Sequence, residues 1–74
     1  MKPNTKLTKL WEKGNWRISS HITRLGLRTC YRVEDIKSGF MDETFKPHDG
    51  VLRFDHPEQI PKNVKKALYK IIYG

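Results

Sequence analysis

Cysteine and long apolar runs are scarce in this sequence. Cys30 is the one cysteine among 74 residues, so no disulfide can form within the chain. That excludes the disulfide-stapled secreted scaffolds and indicates a reducing compartment, the cytoplasm. No apolar stretch approaches the roughly 20 residues of a membrane-spanning helix, and the amino terminus lacks the apolar core of a secretory signal. We therefore expect a cytoplasmic protein that has no membrane partner.

Metal-ligand and phosphate-loop motifs are also missing. His21, His48, His56 and Cys30 are the available soft ligands, and no two of them have the spacing of a ligand pair. No glycine-rich phosphate loop and no paired carboxylates stand out. The sequence therefore predicts no metal site and no cofactor.

Positive charge is the feature that the chain has in excess. Fifteen Lys and Arg face eight Asp and Glu, which gives a net charge of +7. Residues 1–33 carry eight basic groups and one acid, residues 34–58 are acidic, and residues 59–74 carry four lysines and no acid. If the two ends fold together in a single domain over residues 1–74, one face becomes positive and attracts a polyanion.

The first predicted element is a short helix over about residues 5–13. Leu7, Leu10 and Trp11 recur at i, i+3 and i+4, the spacing of one apolar helix face. Gly14-Asn15 would end this helix, because both residues tolerate the left-handed conformation of a helix cap.

Three strands and a second helix are predicted to follow. The pattern alternates with period two from Trp16 and again over residues 27–33, and the Leu25-Gly26 link indicates an antiparallel hairpin. A third short strand is predicted over residues 51–54. The last segment, from residue 62, carries a full amphipathic helical stripe. The expected fold is α+β: a three-stranded antiparallel sheet with an N-terminal and a C-terminal helix packed on one face, in the order α-β-β-β-α.

This fold defines three candidate sites. The outer face of the hairpin would present basic residues and a histidine: Arg17, His21, Arg28 and Arg32. Lysines of the two helices could follow a phosphate backbone, or could serve only solubility: Lys9, Lys13, Lys62, Lys65, Lys66 and Lys70. Residues 38–50 are predicted as an exposed loop, with a short strand near Phe40 or Phe45 as an alternative, and its apolar side chains could contact a protein partner: Phe40, Met41 and Phe45.

Two segments resemble the HicA toxins, which are small mRNA interferases with a double-stranded-RNA-binding-like fold. They are residues 7–16, with their Leu-Trp and Gly-Asn-Trp, and residues 56–72, with a His-Pro turn that leads into a lysine-bearing helix. The resemblance implies an RNA-directed endonuclease controlled by a protein antitoxin. The catalytic Gly-Ser-His of that family corresponds here to Ser19-Ser20-His21, with serine in place of glycine.

The chemistry of His21 also fits a catalytic role on general grounds. The protein would then be a metal-independent ribonuclease. A histidine can accept the ribose 2′-hydroxyl proton near neutral pH, and arginines can stabilise the charge on phosphorus. The competing interpretation is an exposed strand residue with no catalytic task.

Two other functions stay open from the sequence. One is a DNA binder without catalysis that lays its sheet in the major groove through Arg17, Arg28 and Arg32. The other is a protein of the kind carried by phages or mobile elements, which binds and inhibits a host protein through residues 38–50.

Overall fold

The protein forms a four-stranded sheet followed by one α-helix. The structure, a computed structural model, describes residues 7–24 and 26–74. The strands pair in chain order and all pairs are antiparallel. A turn of 3-10 helix over Pro57–Gln59 precedes the α-helix. The elements are β1 (Thr8–Lys13), β2 (Trp16–Ile22), β3 (Thr29–Asp35), β4 (Phe40–Phe45) and α1 (Lys62–Tyr73).

The predicted α-β-β-β-α order is wrong, because the described residues contain four strands and no N-terminal helix. The segment predicted as the first helix is β1, and its residues 5 and 6 lie outside the described part. A bulge between Lys9 and Trp11 shifts the register of β1 against β2. One extra residue converts a period of two into a spacing of three, so a bulged strand imitates the i, i+3, i+4 pattern of a helix.

Gly14-Asn15 is a hairpin turn rather than a helix cap. Lys13 pairs with Trp16 across it, which leaves two residues in the loop. Gly14 has a φ of +62°, and a positive φ at the first central position is what a type II′ hairpin turn requires. The same dipeptide therefore fits both a helix end and a strand-to-strand connection.

The segment predicted as a loop over residues 38–50 contains β4. Asp35 starts the turn before it: its Oδ1 accepts a hydrogen bond from the N–H of Lys37 at 3.1 Å, and its carbonyl accepts one from the N–H of Gly39 at 2.8 Å. Residues 51–54 were predicted as the third strand, but they form no strand. Leu52 and Phe54 instead pack against the core as a covering segment.

The central hairpin and the C-terminal helix are confirmed. β2 pairs with β3 in continuous register from Trp16 opposite Asp35 to Ile22 opposite Thr29. Leu25, in the predicted turn between them, lies outside the described residues. α1 buries its predicted stripe on one face of the sheet, where the fully buried Ile18 and Val33 meet it. The buried cluster consists of Ile18, Val33, Ile60, Val64 and Leu68.

A buried carboxylate fastens the covering segment to the sheet. Asp42 in β4 is 4% exposed and faces the helix side. Its Oδ2 accepts a hydrogen bond from the N–H of His56 at 2.8 Å, and its Oδ1 accepts one from the N–H of Asp55 at 3.2 Å. Backbone donors satisfy the charge, as a buried carboxylate requires. Within the described residues, no helix has the length and apolar content to cross a membrane.

Candidate nucleic-acid interface

One face of the sheet has no helix on it, and we call it the open face. Strand alternation places Arg17 and His21 of β2 on this face together with Arg32 of β3. Arg28 lies just before β3, and its guanidinium carbon is 4.1 Å from the ring centroid of Phe45, which also belongs to this face. The structure therefore brings together the four residues that the sequence assigned to one surface.

Carboxylates on the same face offset this positive charge. Glu12 and Glu34 flank Arg17 from β1 and β3, and Glu43 lies opposite Arg32. Arg32 Nε is 2.9 Å from Glu43 Oε2. With Lys9 included, four basic and three acidic side chains share the open face. It is not the strongly cationic surface that the charge distribution along the chain had suggested.

Lys9 also lies on the open face, because the bulge separates it from Trp11 and Lys13. Its Nζ is 2.9 Å from Glu12 Oε1. This hydrogen bond and the charge of Lys9 lower the pKa of Glu12. Lys9 is therefore paired and on the other side of the sheet from the lysines of α1, so the predicted lysine set does not form one surface.

His21 lies under its neighbours on the open face. Its side chain is 14% exposed, and neither ring nitrogen has a hydrogen-bond partner among the described residues. Nε2 is 3.6 Å from Glu43 Oε2. A general base must reach the proton that it removes, so RNA cleavage would require a rearrangement that uncovers this ring. The catalytic role of His21 stays a prediction.

A second basic surface lies between β1 and α1. Trp11 and Lys13 point to the helix side of the sheet, where Lys66 and Lys70 of α1 approach them. Trp11 is half-buried, and the three lysines are exposed. We call this surface the lysine groove; it is lined by Trp11, Lys13, Asn63, Lys66, Ala67 and Lys70.

The lysines of this groove form no ion pair in the described part of the chain. Among residues 7–24 and 26–74, ion pairs involve Lys9, Arg32, Arg53 and two histidines, and none involves Lys13 or a lysine of α1. Lys62 and Lys65 belong to the same helix but do not line the groove. Unpaired ammonium groups are the ones that remain available to a polyanion.

The three apolar residues predicted as a partner-binding loop do not form one surface. Phe40 points to the core side, with its ring centroid 5.9 Å from that of Trp16 in an edge-on arrangement. Met41 and Phe45 lie on the open face, and they are 47% and 37% exposed. Their role in binding a protein stays a prediction, now attached to strand β4.

Two features of these surfaces were not predicted from the sequence. Trp11 was placed on the apolar face of a first helix; its place at the groove depends on the bulge, whose signal is the unusual apolar spacing. Glu43 was placed in the loop predicted over residues 38–50, because polar Asp42 and Thr44 on the covered side of β4 remove the apolar alternation of a strand. Glu43 lies beside His21 and Cys30, and the ligand atoms of these three residues lie within 4.8 Å of one another.

Comparisons with protein-family models, with curated proteins and with solved structures find no match to this chain. The resemblance to the HicA toxins therefore stays a prediction. One of its two segments, residues 7–16, forms the β1–β2 hairpin instead of the expected helix.

Proposed function

We propose that this protein binds single-stranded nucleic acid, with RNA as the first candidate, along the lysine groove. The observation that carries the proposal is the convergence of Lys13 from β1 with Lys66 and Lys70 from α1 beside a half-exposed Trp11. Because two separate elements supply the charge, a bound phosphate backbone would contact both β1 and α1.

The physical basis is charge and stacking. Each lysine that neutralises a phosphate releases condensed counterions, so affinity falls as salt rises. An indole stacks on any base, which contributes roughly 1–3 kcal/mol per base without sequence preference. Arg17, Arg28 and Arg32, on which a DNA-reading sheet would depend, share their face with three carboxylates, so the lysine groove is the better candidate.

The proposal concerns binding and assigns no reaction. We place the protein in the cytoplasm, because a single unpaired cysteine and a nucleic-acid partner both fit a reducing interior. Cleavage of RNA through His21 is a separate hypothesis: loss of cleavage in His21→Ala, with RNA binding retained, would support it.

The test is fluorescence anisotropy with a labelled oligouridine of about 12 nucleotides, within the usual site size of small binding domains. The triple variant Lys13→Gln, Lys66→Gln and Lys70→Gln should bind at least about tenfold more weakly at low salt. Three lost phosphate contacts should also reduce the slope of log affinity against log salt by about 2. The same series with the deoxy oligonucleotide and with duplex RNA distinguishes the sugar and the strandedness.

A matched control removes three charges elsewhere: Lys9→Gln, Lys37→Gln and Lys46→Gln. This control should retain most of the affinity and most of the salt slope. Equal losses in both triple variants would show that net charge, and not the lysine groove, governs binding. Affinity that is independent of salt, or absent in the wild type, would overturn the proposal.

Tryptophan emission gives a second readout. RNA should quench the emission of a Trp16→Phe variant, whose remaining indole is that of Trp11, because a stacked base contacts the ring. Unchanged emission at saturating RNA would remove Trp11 from the interface.

A further inference from the structure

Three side chains with metal-binding atoms meet on the open face. His21 of β2 and Cys30 of β3 are directly opposite each other. Glu43 of β4 lies two residues from the partner of Cys30, on the same face of the sheet. Their ligand atoms are within 4.8 Å of one another, and His21 Nε2 is 3.6 Å from Glu43 Oε2. Three adjacent strands therefore hold an imidazole, a thiol and a carboxylate around one point.

The imidazole of His21 lacks the contacts that a buried imidazole needs. Both ring nitrogens are inaccessible, and no described residue forms a hydrogen bond with either. A buried polar group without a partner destabilises the folded state. Coordination of one nitrogen to a cation would give it a partner.

We propose that His21, Cys30 and Glu43 bind a transition-metal ion of the zinc class. Zinc takes imidazole nitrogen, thiolate sulfur and carboxylate oxygen at about 2.0–2.3 Å in a tetrahedral arrangement. Those bond lengths separate neighbouring ligand atoms by about 3.4–3.6 Å. The His21 Nε2–Glu43 Oε2 distance of 3.6 Å already has this value, and the sulfur of Cys30 lies within 4.8 Å of the ligand atoms of both residues.

Two of the three ligands supply negative charge to a cation. Cys30 as thiolate and Glu43 as carboxylate each carry one negative charge, of which Arg32 offsets a part, and the thiol proton passes to solvent as the metal–sulfur bond forms. Burial raises the pKa of the Cys30 thiol in the metal-free chain, and the charge of Glu43 raises it further. A bound cation lowers the pKa of the thiol that ligates it.

Arg32 is not a ligand but contacts one of the three ligands, Glu43. Its Nε donates a hydrogen bond to Glu43 Oε2 at 2.9 Å, which fixes the orientation of the carboxylate. Partners of this kind around a ligating group commonly change metal affinity by 10–100-fold. Three protein ligands leave the fourth tetrahedral position to water or to an exogenous ligand.

The test is titration of the reduced, full-length protein with Co²⁺ alone, followed by competition with Zn²⁺. We expect one ion per chain, a sulfur-to-cobalt charge-transfer band, and displacement of Co²⁺ by Zn²⁺. Cys30→Ser should remove the band, and His21→Ala should weaken binding at least about 100-fold. His48→Ala and His56→Ala, which change histidines outside the cluster, are the matched controls and should bind as the wild type does.

Either of two results would overturn the proposal: no charge-transfer band in the wild type, or a band that survives Cys30→Ser. If the His21 or Cys30 variant does not fold, the wild type still decides the matter. On addition of Zn²⁺, the side-chain NMR signals of His21 should shift while those of His48 and His56 stay in place, and the reverse pattern would contradict the site. RNA binding in the lysine groove can fail or succeed independently of this outcome.

Discussion

The open face and the lysine groove both collect basic side chains, but within the described residues only the open face holds ion pairs. On the open face, Arg32 lies 2.9 Å from Glu43 and Lys9 lies 2.9 Å from Glu12. In the groove, Lys13, Lys66 and Lys70 form no ion pair among the described residues. The number of cations on a surface is therefore a poorer guide to polyanion binding than the groups that lie next to each cation.

Strand register is the reason for the difference. The acidic middle of the chain folds as the end of β3 and as β4, directly beside the basic positions of β2 and β3. The helix α1 has no acidic residue of its own and packs on the other face. Charges that are separated along the sequence thus cancel on one surface and remain on the other.

The largest expected effect comes from reversing charge in the groove. Lys66→Glu with Lys70→Glu should lower RNA affinity about 100-fold or more at low salt, because two attractive contacts become repulsive. Arg17→Gln with Arg32→Gln, on the open face, should change affinity by less than about threefold, since these groups already face carboxylates. Anisotropy titrations measure the RNA affinity of both variants. A larger loss of affinity from the arginine pair would show that the open face, and not the lysine groove, binds RNA.

A smaller effect is expected on stability, and with the opposite ranking. Arg32→Gln should reduce the free energy of unfolding by about 1 kcal/mol, because it removes a half-buried ion pair with Glu43. Lys70→Gln should change it by less than about 0.5 kcal/mol. Urea denaturation measures both, and adding Glu43→Gln completes a double-mutant cycle. Additive effects in that cycle would mean that the pair contributes nothing.

The smallest effect concerns an exposed pair outside both surfaces. The hydrogen bonds and charge of Arg53, with Nη2 at 2.6 Å from Asp49 Oδ2, hold the pKa of Asp49 well below its ordinary value. Arg53→Gln should therefore raise the pKa of Asp49, which carboxyl NMR titration follows. A carboxyl whose pKa is lowered in the folded state stabilises the protein at pH values above its unfolded-state pKa. This contribution to the free energy of unfolding is lost as the pH falls through the folded-state pKa.

Accordingly, any stability difference between Arg53→Gln and the wild type should vanish in strong acid. Lys46→Gln is the control that should leave the titration of Asp49 unchanged. An identical Asp49 titration in Arg53→Gln would show that the pair does not persist in solution.

The regular parts of the fold were predictable, and the irregular parts were not. β2, β3 and α1 have uninterrupted periods, so alternation and the helical stripe locate them within a few residues. β1 carries a bulge, which imitates helical spacing. β4 places polar Asp42 and Thr44 on its covered side, so it lacks the apolar alternation by which strands are recognised.

The candidate sites follow the same division. Alternation alone placed Arg17, His21 and Arg32 on one face. Their surroundings required β4, because Glu43 neutralises Arg32 and approaches His21 from that strand. The lysine groove required the bulge that turns Trp11 toward α1. Because neither β4 nor the bulge in β1 was predicted, the contacts that depend on them could not be predicted.

Because each strand of the sheet pairs with its immediate neighbour in the chain, the whole sheet can form by successive hairpin closures. Short loops close quickly, and proteins dominated by local contacts fold faster than those that must join distant segments. Among the described elements, the long-range steps are the docking of α1 on the finished sheet and of the segment before it, which Asp42 holds in place. A chain emerging from the ribosome would thus complete its sheet first and bring α1 into place last.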